Sequence, residues 1–73
     1  MEQQATAGRL GYVATATYHG NRSVTVSVVH HNQVVNRGSE VYDERVPLSE
    51  VAQAWADEAA RHAIFAPMQA ETN

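Results

Sequence analysis

The sequence predicts an α+β fold: a three-stranded antiparallel meander, its third strand bent near Gly38, with one C-terminal helix packed on one face. Three observations carry that reading. Two Val-, Thr- and Tyr-rich runs, Tyr12 to Tyr18 and Ser23 to Val29, alternate small polar with apolar residues around Gly20-Asn21 and read as a β-hairpin. A third β-like run follows from residue 33 and is interrupted by Arg37-Gly38. After Pro47 the period changes from two to helical, through an alanine-rich stretch that holds Trp55.

Residues 1 to 9 are polar and aperiodic and read as a tail, with Gly8 and Gly11 marking entry to the first strand. In that strand Tyr12, Ala14, Ala16 and Tyr18 share one face and Val13, Thr15 and Thr17 the other. Its partner sets Val24, Val26 and Val28 against Ser23, Thr25, Ser27 and Val29. A two-residue Gly20-Asn21 loop would mix the two sets, since a one-residue slip inverts every side chain. A three-residue Gly20-Asn21-Arg22 loop pairs Tyr18 with Val24, Ala16 with Val26 and Ala14 with Val28, giving one apolar face and one hydroxyl face, and is preferred. The alanines leave a trough between two tyrosines.

Asn32-Gln33 is the next turn, and residues 33 to 46 read as one strand bent at Gly38, with two short strands split there as the alternative. Ser49 is the expected N-cap of the helix, with Glu50 in the first turn where the helix dipole favours negative charge. Leu48, Val51, Ala52, Trp55, Ala59, His62 and Ala63 form the expected buried stripe; Glu50, Gln53, Ala54, Asp57, Glu58 and Arg61 form the wet side, with Asp57 and Arg61 as an i,i+4 pair. Trp55 is the expected anchor over Ala14 and Ala16, its burial contributing roughly 2–3 kcal/mol. Pro47 ends the strand before the helix, and Ala66-Pro67 stops the helix near residue 65. The chain therefore reads as a single domain, 1–73, with an ordered core of about 10–66 and a second tail at 67–73.

Seventy-three residues without cysteine bury a core near the lower limit for folding alone, which points to a homodimer or a protein partner that completes it. The absent thiols exclude disulfides, thiolate zinc sites and cysteine nucleophiles. No signal-peptide pattern or membrane-length apolar run occurs, so the reading is a soluble cytoplasmic protein with no membrane partner. The net charge of −3 is unevenly placed: before residue 38 one carboxylate faces three arginines, and from there on seven carboxylates face Arg45 and Arg61. With five arginines and no lysine, a basic surface for duplex nucleic acid is disfavoured.

No catalytic, cofactor or metal motif is present. His30, His31 and His62 come near one another if the helix runs back along the sheet, a set that suits zinc or pH sensing, although no motif spacing supports it and strand-end and helix-end roles are the ordinary reading. One sheet with one helix offers little concavity for a Ser/His/Asp triad, which argues against an enzyme. Three candidate protein-binding features remain. The hydroxyl face, Thr15, Thr17, Ser23, Thr25 and Ser27 with Val13 and Val29, is either the wet side of an antiparallel sheet or a flat interaction surface. The acidic set Glu40, Asp43, Glu44, Glu50, Asp57 and Glu58 is either a solvated face or a surface that docks on an arginine-rich protein groove. Ile64 falls about 180° from Trp55 on an ideal helix, so Ile64 and Phe65 either fold back to close the core, the preferred reading, or meet a partner.

The run Tyr18-His19-Gly20-Asn21-Arg22-Ser23-Val24, then Asn32-Gln33-Val34-Val35-Asn36-Arg37-Gly38-Ser39, then the helix reaching Trp55, resembles the layout of certain small phage-encoded anti-CRISPR proteins. That resemblance, over residues 11 to 65, implies a non-enzymatic stoichiometric inhibitor of a surveillance complex. The same layout is similar to the arm-type DNA-binding domain at the start of phage integrases, which implies a sheet face in the major groove. That family carries basic residues on the sheet where this chain has Thr and Ser. The function expected is a non-catalytic protein-binding module, an inhibitor from a phage or mobile element. A small nucleic-acid-binding domain is the alternative.

Overall fold

The computed structural model describes residues 3–62, in which four strands and one helix follow in order: β1 (Gln3–Arg9), β2 (Tyr12–Gly20), β3 (Ser23–His30), β4 (Gln33–Val41) and α1 (Leu48–His62). The strands form one antiparallel sheet in sequence order, and α1 lies on one side of it, mainly over β1 and β2. The α+β class and the meander are as expected; the strand count is four, not three.

The added strand is the segment read as a tail. Gln3 to Arg9 pairs residue for residue with Tyr18 to Tyr12. It lacks the β-branched runs that advertise a strand, and its pairing is supplied by β2 and by the helix. Gln53 donates from Nε2 to the Gly8 carbonyl oxygen at 3.2 Å, and Arg9 lies 3.9 Å from Asp57.

Each hairpin closes on two residues with positive φ, Leu10-Gly11, Asn21-Arg22 and His31-Asn32, the backbone of turns whose twist matches that of paired strands. The expected register between β2 and β3 holds: Tyr18 meets Val24, Ala16 meets Val26 and Ala14 meets Val28. It is reached differently from the expected three-residue loop. Gly20 pairs with Ser23 around Asn21-Arg22, and His19 is the unpaired extra residue. The third turn lies one residue earlier than Asn32-Gln33.

In β4 the irregularity is at Val35 and not at Gly38. Val29 faces Val34 and Val28 faces Asn36, which leaves Val35 unpaired and turned fully into the core. The strand ends at Val41, short of the expected residue 46, because Tyr42 to Pro47 form a turn: the Val46 amide donates to the Asp43 carbonyl oxygen at 2.9 Å. The helix then begins at Leu48, with the Glu50 amide donating to the Pro47 carbonyl oxygen at 2.9 Å, so Ser49 sits inside the first turn instead of capping it.

The core joins Tyr12, Ala14, Ala16, Val24, Val26, Val28, Val35 and Tyr42 to Ala52, Ala56 and Ala59 of the helix. Alanine on both layers lets the backbones approach closely, so small residues, not the tryptophan, occupy the helix–sheet seam. Trp55 is only half-buried and reaches past Ala14 and Ala16 to β4, where a Cβ built on Gly38 would stand 2.8 Å from its Cη2. Gly38 is thus a seat for the indole, not a bend. His62, expected in the stripe, is exposed, and Ala63 lies outside the described residues. Among the described residues no helix is long and apolar enough to cross a membrane.

Candidate binding surfaces

The register fixes which side chains share the sheet face turned away from α1. Residues directly opposite in adjacent strands point the same way, so this face is built of cross-strand rows. One row is Gly8, Val13, Val29 and Val34; the next is Thr6, Thr15, Ser27 and Arg37; the third is Gln4, Thr17, Thr25 and Ser39. Ser23 beside Val41 ends the face. The five hydroxyl residues singled out from sequence, Thr15, Thr17, Ser23, Thr25 and Ser27, therefore do lie together, in a field widened by Thr6, Gln4 and Ser39. Four strands at about 4.8 Å make it roughly 15 Å across.

Within the field the side chains bond to one another. Gln4 Nε2 donates to Thr17 Oγ1 at 3.2 Å, and the Thr6 and Thr15 hydroxyls are 3.5 Å apart. The extra residue in β2 brings His19 onto this side, with Nε2 2.8 Å from Thr25 Oγ1. Arg37 is the only charged side chain in these rows among the described residues. Val13 and Val34 are 43% and 48% exposed, so one end of the face is apolar and the middle is polar, with Arg37 as its one charge among the described residues. Thr15, Thr17, Thr25, Ser27, Arg37 and Ser39 line a shallow depression at its centre.

The acidic residues of the helix, the alternative contact surface, are elsewhere. Asp57 and Glu58 leave α1, on the other side of the sheet, and diverge. Asp57 accepts from Gln53 at 2.9 Å and faces Arg9, toward β1. Glu58 faces β4 and is held by Arg61 Nη2 at 2.6 Å and by His62 Nε2 at 2.7 Å; these bonds, Arg61 first, lower its carboxyl below the usual range. Arg61 thus pairs with Glu58 at i,i+3 instead of Asp57 at i,i+4. Glu50 is exposed in the first turn of the helix. Ile64 and Phe65 lie outside the described residues.

The histidines divide likewise. His30 is buried between two rings, Tyr12 at 4.1 Å and His31 at 3.9 Å between centroids, and His62 is taken by Glu58. Burial, then the neighbouring His31, lowers the His30 pKa. Among the described residues no group of three or more His, Asp or Glu is placed to hold a metal ion.

A second surface, not anticipated from sequence, lies between α1 and β4. Trp55 Nε1 donates to Glu40 Oε2 at 2.7 Å, and Asn36, Glu40, Ala54, Trp55 and Glu58 line a groove. The signal for it was present: a glycine within a strand marks close approach of another group as often as a bulge. Near the other end of the sheet Tyr18 donates to Glu44, which raises the phenol pKa, and its ring packs on Tyr42 at 4.9 Å. Asp43 is lowered by its bonds from Arg45.

No protein-family model matches this chain, and no curated protein or solved structure matches it.

Proposed function

We propose that this chain is a non-catalytic protein-binding module whose contact surface is the sheet face opposite the helix, and that it acts as a stoichiometric inhibitor of a host defence complex on behalf of a phage or mobile element. The observation that supports the reading is the composition of that face. It is four strands wide and carries a valine row beside a hydroxyl field in which Arg37 is the one charge among the described residues. Solvated faces are ordinarily studded with Lys and Glu, whereas sparsely charged, part-apolar surfaces of this kind recur at interfaces. The choice of a defence complex comes from the resemblance of residues 11 to 65, the β2–β3–β4–α1 part of the chain, to anti-CRISPR proteins.

The test is a plaque assay in a CRISPR-immune bacterial host expressing the chain. The wild type is expected to restore plaques, and Thr15→Glu with Thr25→Glu, which places two charges in the middle of the face, is expected to abolish the effect while the far-ultraviolet circular dichroism stays unchanged. Full activity in the double variant overturns the sheet face as the contact surface.

Arg37, on edge strand β4 of the same face, favours one second reading, a nucleic-acid-binding domain. Such binding would fall steeply with salt, and Arg22→Ala with Arg37→Ala would abolish it. Duplex binding unchanged by salt or by these substitutions refutes that alternative.

A further inference from the structure

We propose that the groove between α1 and β4 receives an arginine side chain of a partner protein, stacked on the Trp55 indole and bonded to the carboxylates of Glu40 and Glu58. The proposal concerns the layer opposite the sheet face, and it stands whether or not that face binds.

The groove exists because the helix is off-centre. With α1 lying mainly over β1 and β2, the helix-side surface of β4 is bridged by Trp55. The indole is fixed at two points. Its six-membered ring is seated on Gly38, where an added Cβ would meet Cη2 at 2.8 Å, and its N–H donates to Glu40 Oε2 at 2.7 Å. A partly buried aromatic ring held in this way offers its remaining surface for contact without the entropy cost of ordering it on binding.

The lining identifies the occupant. Asn36, Glu40, Ala54, Trp55 and Glu58 supply one aromatic surface, one methyl, one amide and two carboxylates, and no cation, in a space of about 380 Å³. Phosphates and acidic peptides are repelled by the Glu40 carboxylate, while Arg61 balances part of the charge on Glu58. Between the two basic side chains, arginine fits the lining better. Its planar guanidinium stacks on an indole while its edge donates to carboxylate and amide oxygens, whereas an ammonium is more strongly hydrated and cannot stack. Arg61 and His62 already donate to Glu58, one to each oxygen, but a carboxylate accepts about four hydrogen bonds and has capacity for another donor. Glu40 is exposed and carries the indole bond on one oxygen.

Trp55 is the single tryptophan of the chain, so its fluorescence reports on this groove and on nothing else. The full chain is titrated at low salt with three blocked octapeptides in which glycine alternates with arginine, lysine or glutamate, and separately with free arginine. The arginine peptide is expected to give a saturating change in Trp55 emission with a Kd at least tenfold below that of the lysine peptide, and the glutamate peptide none. Free arginine is expected to give the same spectral change at higher concentration. Glu40→Gln retains an acceptor for the indole N–H while removing the charge; combined with Glu58→Gln it is expected to weaken the arginine peptide at least tenfold. Thr15→Glu, on the far side of the sheet, is expected to leave the Kd within twofold. Equal affinity for lysine and arginine peptides, or affinity unchanged in the Glu40/Glu58 double variant with Trp55 emission still native, overturns the proposal.

Discussion

Gly38→Ala is the sharpest perturbation the structure offers, because the sign of its effect depends on one side chain. Replacing a strand glycine with alanine ordinarily stabilises by about 0.4–1 kcal/mol, since the unfolded chain loses freedom. Here the new methyl would sit 2.8 Å from Trp55 Cη2 and 3.6 and 3.7 Å from the adjoining ring carbons, so the indole has to swing outward. Displacement breaks the bond to Glu40, a contribution of about 0.5–1.5 kcal/mol. It also exposes on the order of 50 Å² of ring and strand surface, a further loss of about 1.2 kcal/mol. Net destabilisation is about 1–2 kcal/mol, which lowers the Tm of a chain this size by roughly 4–16 °C. In a Trp55→Ala background the methyl meets no ring and the same substitution should stabilise. Urea unfolding of the four proteins, followed by circular dichroism so that removing the tryptophan does not matter, gives the coupling directly, expected at about 1.5–3 kcal/mol. If Gly38→Ala stabilises the wild type, or costs the same in both backgrounds, the indole is not seated on Gly38.

Three further outcomes follow from particular residues. Leu10 is 75% exposed with φ 54° at the first position of a tight turn, so Leu10→Asn, creating Asn-Gly, is expected to stabilise by about 0.5–1 kcal/mol in thermal melts. Ala56 is fully buried between helix and sheet, and Ala56→Leu should cost about 1–3 kcal/mol, seen as a lower urea midpoint at unchanged slope. The His30 pKa is lowered by burial on folding, so the unfolded chain binds the proton more readily. Stability is then full above about pH 6.5 and declines as the pH falls through that value, whereas Asp43 and Glu58, both lowered, withdraw theirs only near and below their ordinary carboxyl range. Melts between pH 8 and 5 should show a shallower decline for His30→Phe than for the wild type.

Much of the sheet was legible because β-sheets write a period of two into the sequence. Tyr12, Ala14, Ala16 and Tyr18 against Val24, Val26 and Val28 fix both the register and the face that is buried, and their alternates name the hydroxyl field. The segment Gln3 to Arg9 was not legible, since a strand of Gln, Ala, Thr and Gly becomes one only when β2 supplies its hydrogen bonds and α1 covers its alanines. Asp57 and Glu58, adjacent in sequence, diverge to opposite edges because the helix lies nearer one side of the sheet, which no periodicity records.

The sequence by itself determined that a Thr/Ser surface would be left bare, through side-chain alternation, a local property. Where the helix would settle on the other surface was decided only in three dimensions. A stripe of alanines seats closer than a stripe with an indole in it, so Ala52, Ala56 and Ala59 took the seam and Trp55 was displaced to Gly38. That competition between packing partners far apart in the chain is what created the acidic, tryptophan-walled groove beside β4.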